Sequence, residues 1–184
     1  MRRLIMVVAG TGAIVAAFVV IQAVIAPYPA PGYVDVANRA GLRAVRLDVD
    51  RTVTAVGHPR IVSGATYRYA FRVTNTGSKP VLHLAVRSDQ VVEPRAESSF
   101  DVRYVSNPDC SGNGQVDCLF DAIPPGTTRR VTVEAATSAT RAPGDRLIIY
   151  TYMGRFMSAP DGSATFDVMG RCATTSATFA ANSG

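Results

Sequence analysis

The chain has 184 residues, of which 47% are hydrophobic and 18% charged, and its formal net charge is +5. This length and composition exclude global disorder and suit one membrane segment plus one domain of ordinary size. Arg2 and Arg3 supply two of the positive charges. The other arginines are scattered along predicted strands, so we expect no binding to nucleic acid.

The N-terminal region predicts a membrane-spanning helix. Residues 1–3 form a short basic stub, and an apolar segment over residues 4–26 follows it, broken only by Thr11 and Gln22. As a helix this segment is about 34 Å long, which is enough to cross a hydrocarbon core of about 30 Å. Because arginines next to such a helix stay in the cytoplasm, we expect the rest of the chain to lie outside.

A cleavable signal peptide is the alternative interpretation of the same segment. Two observations favour an uncleaved anchor. The apolar run exceeds the usual length of about 7–15 residues in a signal peptide, and the best cleavage site, Val24-Ile25-Ala26, is followed by Pro27. We therefore predict a single-pass protein of the cell membrane with an extracytoplasmic domain, and a secreted form is the alternative.

A proline-rich linker is predicted over residues 27–42. Pro27, Pro29 and Pro31 alternate with other residues, and this pattern favours an extended spacer that ends any helix at the membrane surface. A loose helical turn is expected over Asp35–Gly41. The remaining residues, 43–184, form the predicted folded domain.

From residue 43 onward, apolar and polar residues alternate, which is typical of half-buried strands. Apolar residues recur at every second position in five segments: Val45-Leu47-Val49, Tyr67-Tyr69-Phe71-Val73, Leu82-Leu84-Val86, Phe100-Val102-Tyr104 and Val131-Val133. Consecutive apolar residues over Leu147–Tyr150 predict a central strand that is buried on both sides. We predict an all-β, Ig-like antiparallel β-sandwich of seven to eight strands, preceded by a single N-terminal transmembrane or signal helix.

Three motifs in the predicted domain occur in a characteristic order. Asn75-Thr76-Gly77 closes an aromatic-rich strand, Cys110 and Cys118 follow as a close pair, and Ile123-Pro124-Pro125-Gly126 leads into a valine-threonine strand. In this order and spacing, about 110 residues of the chain resemble the conserved-repeat, Ig-like domains of bacterial and archaeal surface proteins, a family of unknown function. The resemblance implies an envelope module that stacks, spaces or adheres, and no catalytic residue.

The three cysteines divide into a pair and a single residue. Cys110 and Cys118 flank a tight polar turn, and a disulfide between them closes a loop of about nine residues, worth roughly 2.6 kcal/mol of stability. An exported domain retains such a bridge. We expect Cys172 to be a buried apolar cysteine, and a bridge to another chain is the alternative.

Residues suited to catalysis or metal binding are sparse. The two histidines are far apart: His58 precedes Pro59 in a turn, and His83 lies on the polar side of a strand. A Gly-x-Ser-x-Gly nucleophile motif is absent from the sequence, and three cysteines with two distant histidines do not form a zinc site. We therefore predict no enzymatic activity, no cofactor, no metal and no small-molecule substrate.

The segment Ser88–Ser99 is the longest polar stretch of the domain without clear periodicity. It also departs from the family pattern, which usually has an aspartate and a proline-glycine pair at this point. Loops on a rigid sandwich often carry binding residues, so we predict an interaction loop here. We also expect replacement of this loop by a Gly-Ser linker to leave the fold intact. Its candidate residues, which are mixed in sign and so favour a protein partner, are Asp89, Glu93, Arg95 and Glu97.

The predicted function is that of a non-enzymatic, membrane-anchored structural or protein-interaction module of the cell envelope. Its partners would be the membrane, through the N-terminal helix, and an envelope protein or a second copy of the chain. The alternative is a secreted, adhesin-like or carbohydrate-binding domain released by signal peptidase. The chain contains no tryptophan, and the strand pattern assigns most of its tyrosines to the core, which favours the first function.

Overall fold

The computed structural model describes residues 34–35, 41–94, 100–112, 114–137, 141–158 and 164–181. Almost all of them lie in strands and turns, apart from a 3-10 helix over Gly41–Ala44. The predicted stub, the apolar segment over residues 4–26 and most of the linker lie outside these residues. Within them, no helix has the length and apolar character needed to span a bilayer.

Eleven strands are present among the described residues. They are β1 (Val34–Asp35), β2 (Val45–Val49), β3 (Thr54–Ala55), β4 (Thr66–Asn75), β5 (Val81–Glu93), β6 (Asp101–Val105), β7 (Cys110–Gly112), β8 (Val116–Ile123), β9 (Thr128–Ala136), β10 (Arg146–Ser158) and β11 (Ala164–Thr178). Three of them, β1, β3 and β7, have three residues or fewer. The other eight agree with the predicted number of strands.

The strands form two sheets. The first has the order β11-β10-β5-β8-β7, and β1 pairs with β5 in parallel; the second has the order β2-β4-β9-β6, and β3 pairs with β4. All other ladders are antiparallel. The orders β2-β4-β9-β6 and β11-β10-β5 correspond to the two sheets of an immunoglobulin-type sandwich, with the β7–β8 hairpin added beside β5. The predicted antiparallel, Ig-like sandwich is confirmed.

The core lies between the sheets, where the alternating residues of the strands meet. Tyr67, Tyr69, Phe71 and Val73 of β4 are all buried, as the period-two pattern predicts. Strand β10 lies between β5 and β11. Its consecutive apolar residues, Leu147–Ile149, are buried on both faces of the sheet. The predicted central strand is therefore confirmed for Leu147–Ile149, whereas Tyr150, the last residue of the predicted run, is only partly buried.

Two strands depart from strict alternation. In β5, His83 adopts a positive φ of 56° and interrupts the pairing of β5 with β8, so Leu82 is only partly buried whereas Val81 and Leu84 are buried. In β6, the register against β9 shifts between Val102 and Tyr104. A bulge of this kind turns the following side chain to the other face. The prediction that Tyr104 faces the core is therefore wrong, and its side chain is 53% exposed.

The β7–β8 hairpin contains the predicted disulfide. Cys110 and Cys118 are directly opposite each other in the ladder, with Cα atoms 3.9 Å apart, and their sulfur atoms are bonded. Cys172 is a free thiol and is exposed. The expectation that Cys172 is buried is wrong, because β11 is the edge strand of the first sheet and Cys172 lies next to Tyr152 on its outer face.

Candidate interaction surface

The predicted interaction loop is largely a strand. Asp89 and Glu93 lie in β5, whereas Arg95 and Glu97 lie outside the described residues. Ser88, which precedes Asp89, and Gln90, which follows it, are buried. The prediction of a loop is therefore wrong for residues 88–93, and so is the expectation that a Gly-Ser linker could replace them without loss of the fold. Binding of a protein partner by Asp89 and Glu93 stays a prediction.

The polar residues of β5 face inward because they bond to a core tyrosine. The Tyr69 hydroxyl lies 3.0 Å from Ser88 Oγ and accepts a hydrogen bond of 2.5 Å from Gln90 Nε2. Ser88 Oγ also lies 3.2 Å from the Thr151 hydroxyl. Burial raises the pKa of Tyr69 to about 12, although its hydrogen bonds to Ser88 and Gln90 oppose the increase. This network explains why polar residues occupy core positions there.

Because side chains alternate along a strand, the residues between these core positions lie on the outer face of the first sheet. Cross-strand register groups them in rows. The first row is Leu119, Ala85, Gly154 and Val168; the second is Asp117, Arg87, Tyr152 and Cys172; the third is Asp89, Tyr150 and Thr174. We call this surface the aromatic face, and its partly or fully exposed apolar members are Leu119, Tyr150, Tyr152, Phe156, Phe166 and Val168.

Arg87 occupies the centre of the aromatic face. Its Nε donates a hydrogen bond of 2.7 Å to Asp117 Oδ1, and its Nη2 donates one of 3.0 Å to Asp117 Oδ2. The guanidinium carbon also lies 4.8 Å from the centre of the Phe166 ring and 5.9 Å from that of Phe156. Two parallel hydrogen bonds and two ring contacts hold the guanidinium in one orientation.

The two phenylalanines reach Arg87 because the β10–β11 hairpin is irregular at its middle. The register of β10 against β11 shifts between Tyr152 and Gly154. A Cβ atom at Gly154 would lie 2.1 Å from the carbonyl oxygen of Asp167 and 2.9 Å from the Phe166 ring, so only glycine fits there. Beyond this point, Phe156 and Phe166 are cross-strand partners, with ring centres 5.4 Å apart in an edge-to-face arrangement.

Next to Arg87, Asp89 forms a second group with two tyrosines. It is directly opposite Tyr150 in the ladder, and the rings of Tyr150 and Tyr152 are nearly parallel, with centres 6.2 Å apart. Partial burial raises the pKa of the Asp89 carboxyl, Arg87 lowers it and Asp117 raises it. From the part of the chain that the structure describes, no hydrogen bond or ion pair reaches the Asp89 carboxylate. We call Asp89, Tyr150 and Tyr152 the Asp89 site.

Sequence reasoning missed the aromatic face. It assigned most tyrosines to the core, and this is wrong: Tyr67 and Tyr69 are buried, but Tyr104, Tyr150 and Tyr152 are not. The sequence of β10 contains the relevant pattern. Once Leu147 and Ile149 are known to be buried, alternation places Tyr150 and Tyr152 on the opposite, outer face. Leu119 and Val168 are 46% and 47% exposed, which adds aliphatic surface to the rings.

The outer face of the second sheet has a different character. Its arginines pair with acidic residues: Arg68 with Glu134, Arg46 with Asp48, and both Arg72 and Arg130 with Asp50. The arginine side chains of these pairs are 45–65% exposed, so each pair contributes little to stability. Both aspartates of this face, Asp48 and Asp50, are thus in ion pairs. This face is charged and solvated, whereas the face of the first sheet is aromatic.

Groups that could bind a metal are not assembled. Among the described ranges, no three residues of the types His, Cys, Asp and Glu lie close enough together to hold a metal ion. His58 and His83 are both exposed and lie in different parts of the chain. Among the described residues, the polar side chains that could form a binding site are therefore those of the aromatic face.

Comparisons with known proteins give remote structural likeness only. No family model and no curated protein matches the chain, so the resemblance to conserved-repeat Ig-like domains stays a prediction. AvmM, which catalyses macrocyclisation in alchivemycin A biosynthesis, is 14% identical over 77% of this chain and 91% of its own, with a TM-score of 0.42.

Two further structures give similar values. The alkylpurine DNA glycosylase AlkC of Pseudomonas fluorescens is 14% identical over 78% of this chain and 34% of its own, with a TM-score of 0.40. A cohesin module from a family 33 glycoside hydrolase of Clostridium perfringens is 10% identical over 74% of this chain and 95% of its own, with a TM-score of 0.39. At these values the likenesses carry no conclusion about binding or activity.

Proposed function

We propose that this protein is a non-enzymatic interaction module of the cell envelope, anchored in the membrane by residues 4–26, which binds a protein through its aromatic face. The observation that carries the proposal is the concentration of partly exposed rings and aliphatic side chains on one side of the sandwich. The opposite side carries paired charges. Clustered aromatic surface with a few polar groups is typical of protein-binding sites.

The N-terminal region and the disulfide support the proposed compartment. Arg2 and Arg3 before an apolar segment favour an N-terminus in the cytoplasm and a domain outside it. The bond between Cys110 and Cys118 suits an oxidising compartment. A reporter enzyme fused after Gly184 should therefore be active only outside the cytoplasm. Activity in the cytoplasm would contradict both the anchor and the compartment.

The binding surface can be tested by site-specific photo-crosslinking in intact cells. A photoreactive amino acid at Leu119, an exposed position of the aromatic face, should form an adduct with an envelope protein. The same amino acid at Arg129, an exposed position on the second sheet, is the matched control and should not. Equal adducts at both positions, or none at Leu119, would show that the aromatic face is not the binding surface.

A carbohydrate-binding domain, released from the membrane, is the second candidate. The specific observation in its favour is the pair of partly exposed tyrosines, Tyr150 and Tyr152, because sugars stack on aromatic rings. The N-terminal sequence of the protein purified from cells separates the two candidates: an intact Met1 or Arg2 supports the anchored module, whereas a start near Pro27 supports release. Retention of wild-type protein, but not of Tyr152→Ala, on an insoluble polysaccharide would favour the carbohydrate ligand.

A further inference from the structure

The aromatic face groups a carboxylate with two aromatic rings twice, and a guanidinium contacts both the carboxylate and the rings only in the first group. In the first, the Asp117 carboxylate and the rings of Phe156 and Phe166 surround the guanidinium of Arg87. In the second, the Asp89 carboxylate lies beside the rings of Tyr150 and Tyr152, and no cation is paired with it among the described residues. In the first group the carboxylate of β8 and the rings of β10 and β11 lie on either side of β5, which carries Arg87, whereas in the second the carboxylate of β5 lies next to two rings of β10.

We propose that the Asp89 site receives an arginine side chain from the protein partner. The carboxylate would pair with the guanidinium, and the tyrosine rings would contact its flat surface, as the rings of Phe156 and Phe166 contact Arg87. This inference rests on the proposed function, since it names the chemistry of the partner that binds the aromatic face.

Charge supports a cationic ligand. Arg87 donates two hydrogen bonds to Asp117, so that ion pair is satisfied, and Asp117 also accepts from Gln115 Nε2 at 3.1 Å. Among the described side chains of the second and third rows, Arg87 and Asp117 balance each other, so Asp89 leaves one net negative charge. The charge of Arg87 offsets part of the cost of burying the Asp89 carboxylate, and an incoming cation would offset more of it.

Arginine fits the site better than lysine. Its guanidinium is planar, stacks on aromatic rings and forms two parallel hydrogen bonds to a carboxylate, whereas an ammonium group is a compact, strongly hydrated point charge. The site adjoins Arg87 on its own strand, and the exposed aliphatic side chain of Leu119 lies two rows away, in the first row of the aromatic face. Apolar residues flanking the partner's arginine would therefore find contact surface nearby.

The experiment uses N-acetyl-arginine amide as the probe and N-acetyl-citrulline amide, its uncharged analogue, as the matched control. Each is titrated into the full-length, nitrogen-15-labelled protein in neutral detergent micelles while amide chemical shifts are recorded. We expect saturable shifts at Asp89, Tyr150 and Tyr152, with affinity for the arginine probe about fivefold higher than for the citrulline probe. Equal affinities for the two probes would overturn the proposal.

Variants give the second measurement. Asp89→Asn should abolish the preference for arginine over citrulline, and Tyr152→Leu should reduce it. Asp121→Asn, at an exposed position of β8 on the same face, should keep the full preference. A wild-type preference in Asp89→Asn with unchanged spectral dispersion contradicts the proposal, and so does tighter binding of cellohexaose than of the arginine probe at the same amides. If Asp89→Asn does not fold, the Tyr152→Leu result decides.

This outcome can be separated from that of the proposed function. A crosslink at Leu119 without a preference for arginine would support the aromatic face as the protein-binding surface and would contradict only arginine binding at the Asp89 site. A preference for arginine without any crosslink at Leu119 would support arginine binding at the Asp89 site and would contradict the proposed envelope partner.

Discussion

The side-chain amide of Asn75 donates a hydrogen bond of 2.8 Å to the carbonyl oxygen of Ile123 and thereby joins the two sheets of the sandwich. The same amide donates to Lys79 O at 2.8 Å, and its Oδ1 accepts from Gly77 N at 2.9 Å. Asn75 is completely buried at the end of β4. One side chain therefore satisfies three backbone groups where the chain crosses from the second sheet to the first.

Asn75→Ala should lower the free energy of unfolding by about 2–4 kcal/mol, because one buried and two part-buried backbone groups lose their partner at once. The measurement is urea denaturation, with the midpoint expected to fall at constant m. Asn107→Ala is the control, since Asn107 Oδ1 accepts only one exposed hydrogen bond, from Asp109 N, and should cost under about 1 kcal/mol. Equal losses in the two variants would contradict the structural role of Asn75.

The fold could be predicted where burial follows the alternation of the sequence. Tyr67, Tyr69, Phe71 and Val73 are such a case, because all four lie on the core side of an undistorted strand. The prediction was wrong where a local irregularity changes the face of a side chain. The bulge next to Tyr104 depends on the register against β9, which is a property of two distant segments and has no signal in either one alone.

The candidate site was less predictable than the fold. Ser88 and Gln90 are polar, so their segment suggested a loop, but they are core residues because Tyr69 lies opposite them in the other sheet. The aromatic face depends on the cross-strand register of β10 with β5, which places Tyr150 beside Asp89. The sequence contains both residues, 61 positions apart, and nothing in either segment specifies that they are neighbours.

The disulfide should contribute measurably to stability. The double variant Cys110→Ala with Cys118→Ala should lose about 2.6 kcal/mol of unfolding free energy, the loop-entropy value for a closed loop of about nine residues. Cys172→Ser is the control and should change the stability by less than about 0.5 kcal/mol, because Cys172 is exposed and unbridged. A loss in Cys172→Ser as large as in the double variant would contradict this assignment of the cysteines.

Cys172 should react with a maleimide in the folded, non-reduced protein, whereas Cys110 and Cys118 should not. Burial raises the pKa of the Cys172 thiol above its ordinary value of 9.0. Its rate of modification should therefore still increase with pH beyond 9, because the thiolate is the reacting form. Peptide mapping after labelling identifies the modified residue. A Cys118–Cys172 bridge in that map would contradict the structure of the β7–β8 hairpin.

Ionisation of Tyr69 should lower the free energy of unfolding in strongly alkaline solution. Its pKa is about 12 in the folded chain, against the ordinary value of 10.0. Because the unfolded chain releases this proton first, the stabilisation is complete below pH 10 and is lost as the pH rises toward about 12. The loss should reach about 2–3 kcal/mol. Tyr69→Phe should show a shallower decline of unfolding free energy with pH, whatever its stability at neutral pH, and an equal slope would contradict the assignment.

Arg87 should contribute more to stability than an arginine in an ordinary exposed ion pair. Its guanidinium and the Asp117 carboxylate are each about three-quarters shielded, with 23% and 24% of the side-chain surface exposed. It also contacts Phe156 and Phe166. The two hydrogen bonds to Asp117 and the contacts with the rings both require a planar guanidinium. Arg87→Lys should therefore lose about 1–2 kcal/mol of stability although it keeps the charge.

A double-mutant cycle separates the two contributions. Arg87→Met removes the charge and keeps an apolar chain, and Asp117→Asn removes the opposite charge. The coupling between them should be about 1 kcal/mol, above the usual value for exposed pairs. Arg68→Met with Glu134→Gln on the second sheet, where Arg68 is half exposed, is the matched cycle and should give a smaller coupling. Equal coupling in the two cycles would mean that the rings of the aromatic face do not fix the orientation of Arg87, and would weaken the comparison on which the arginine-binding site depends.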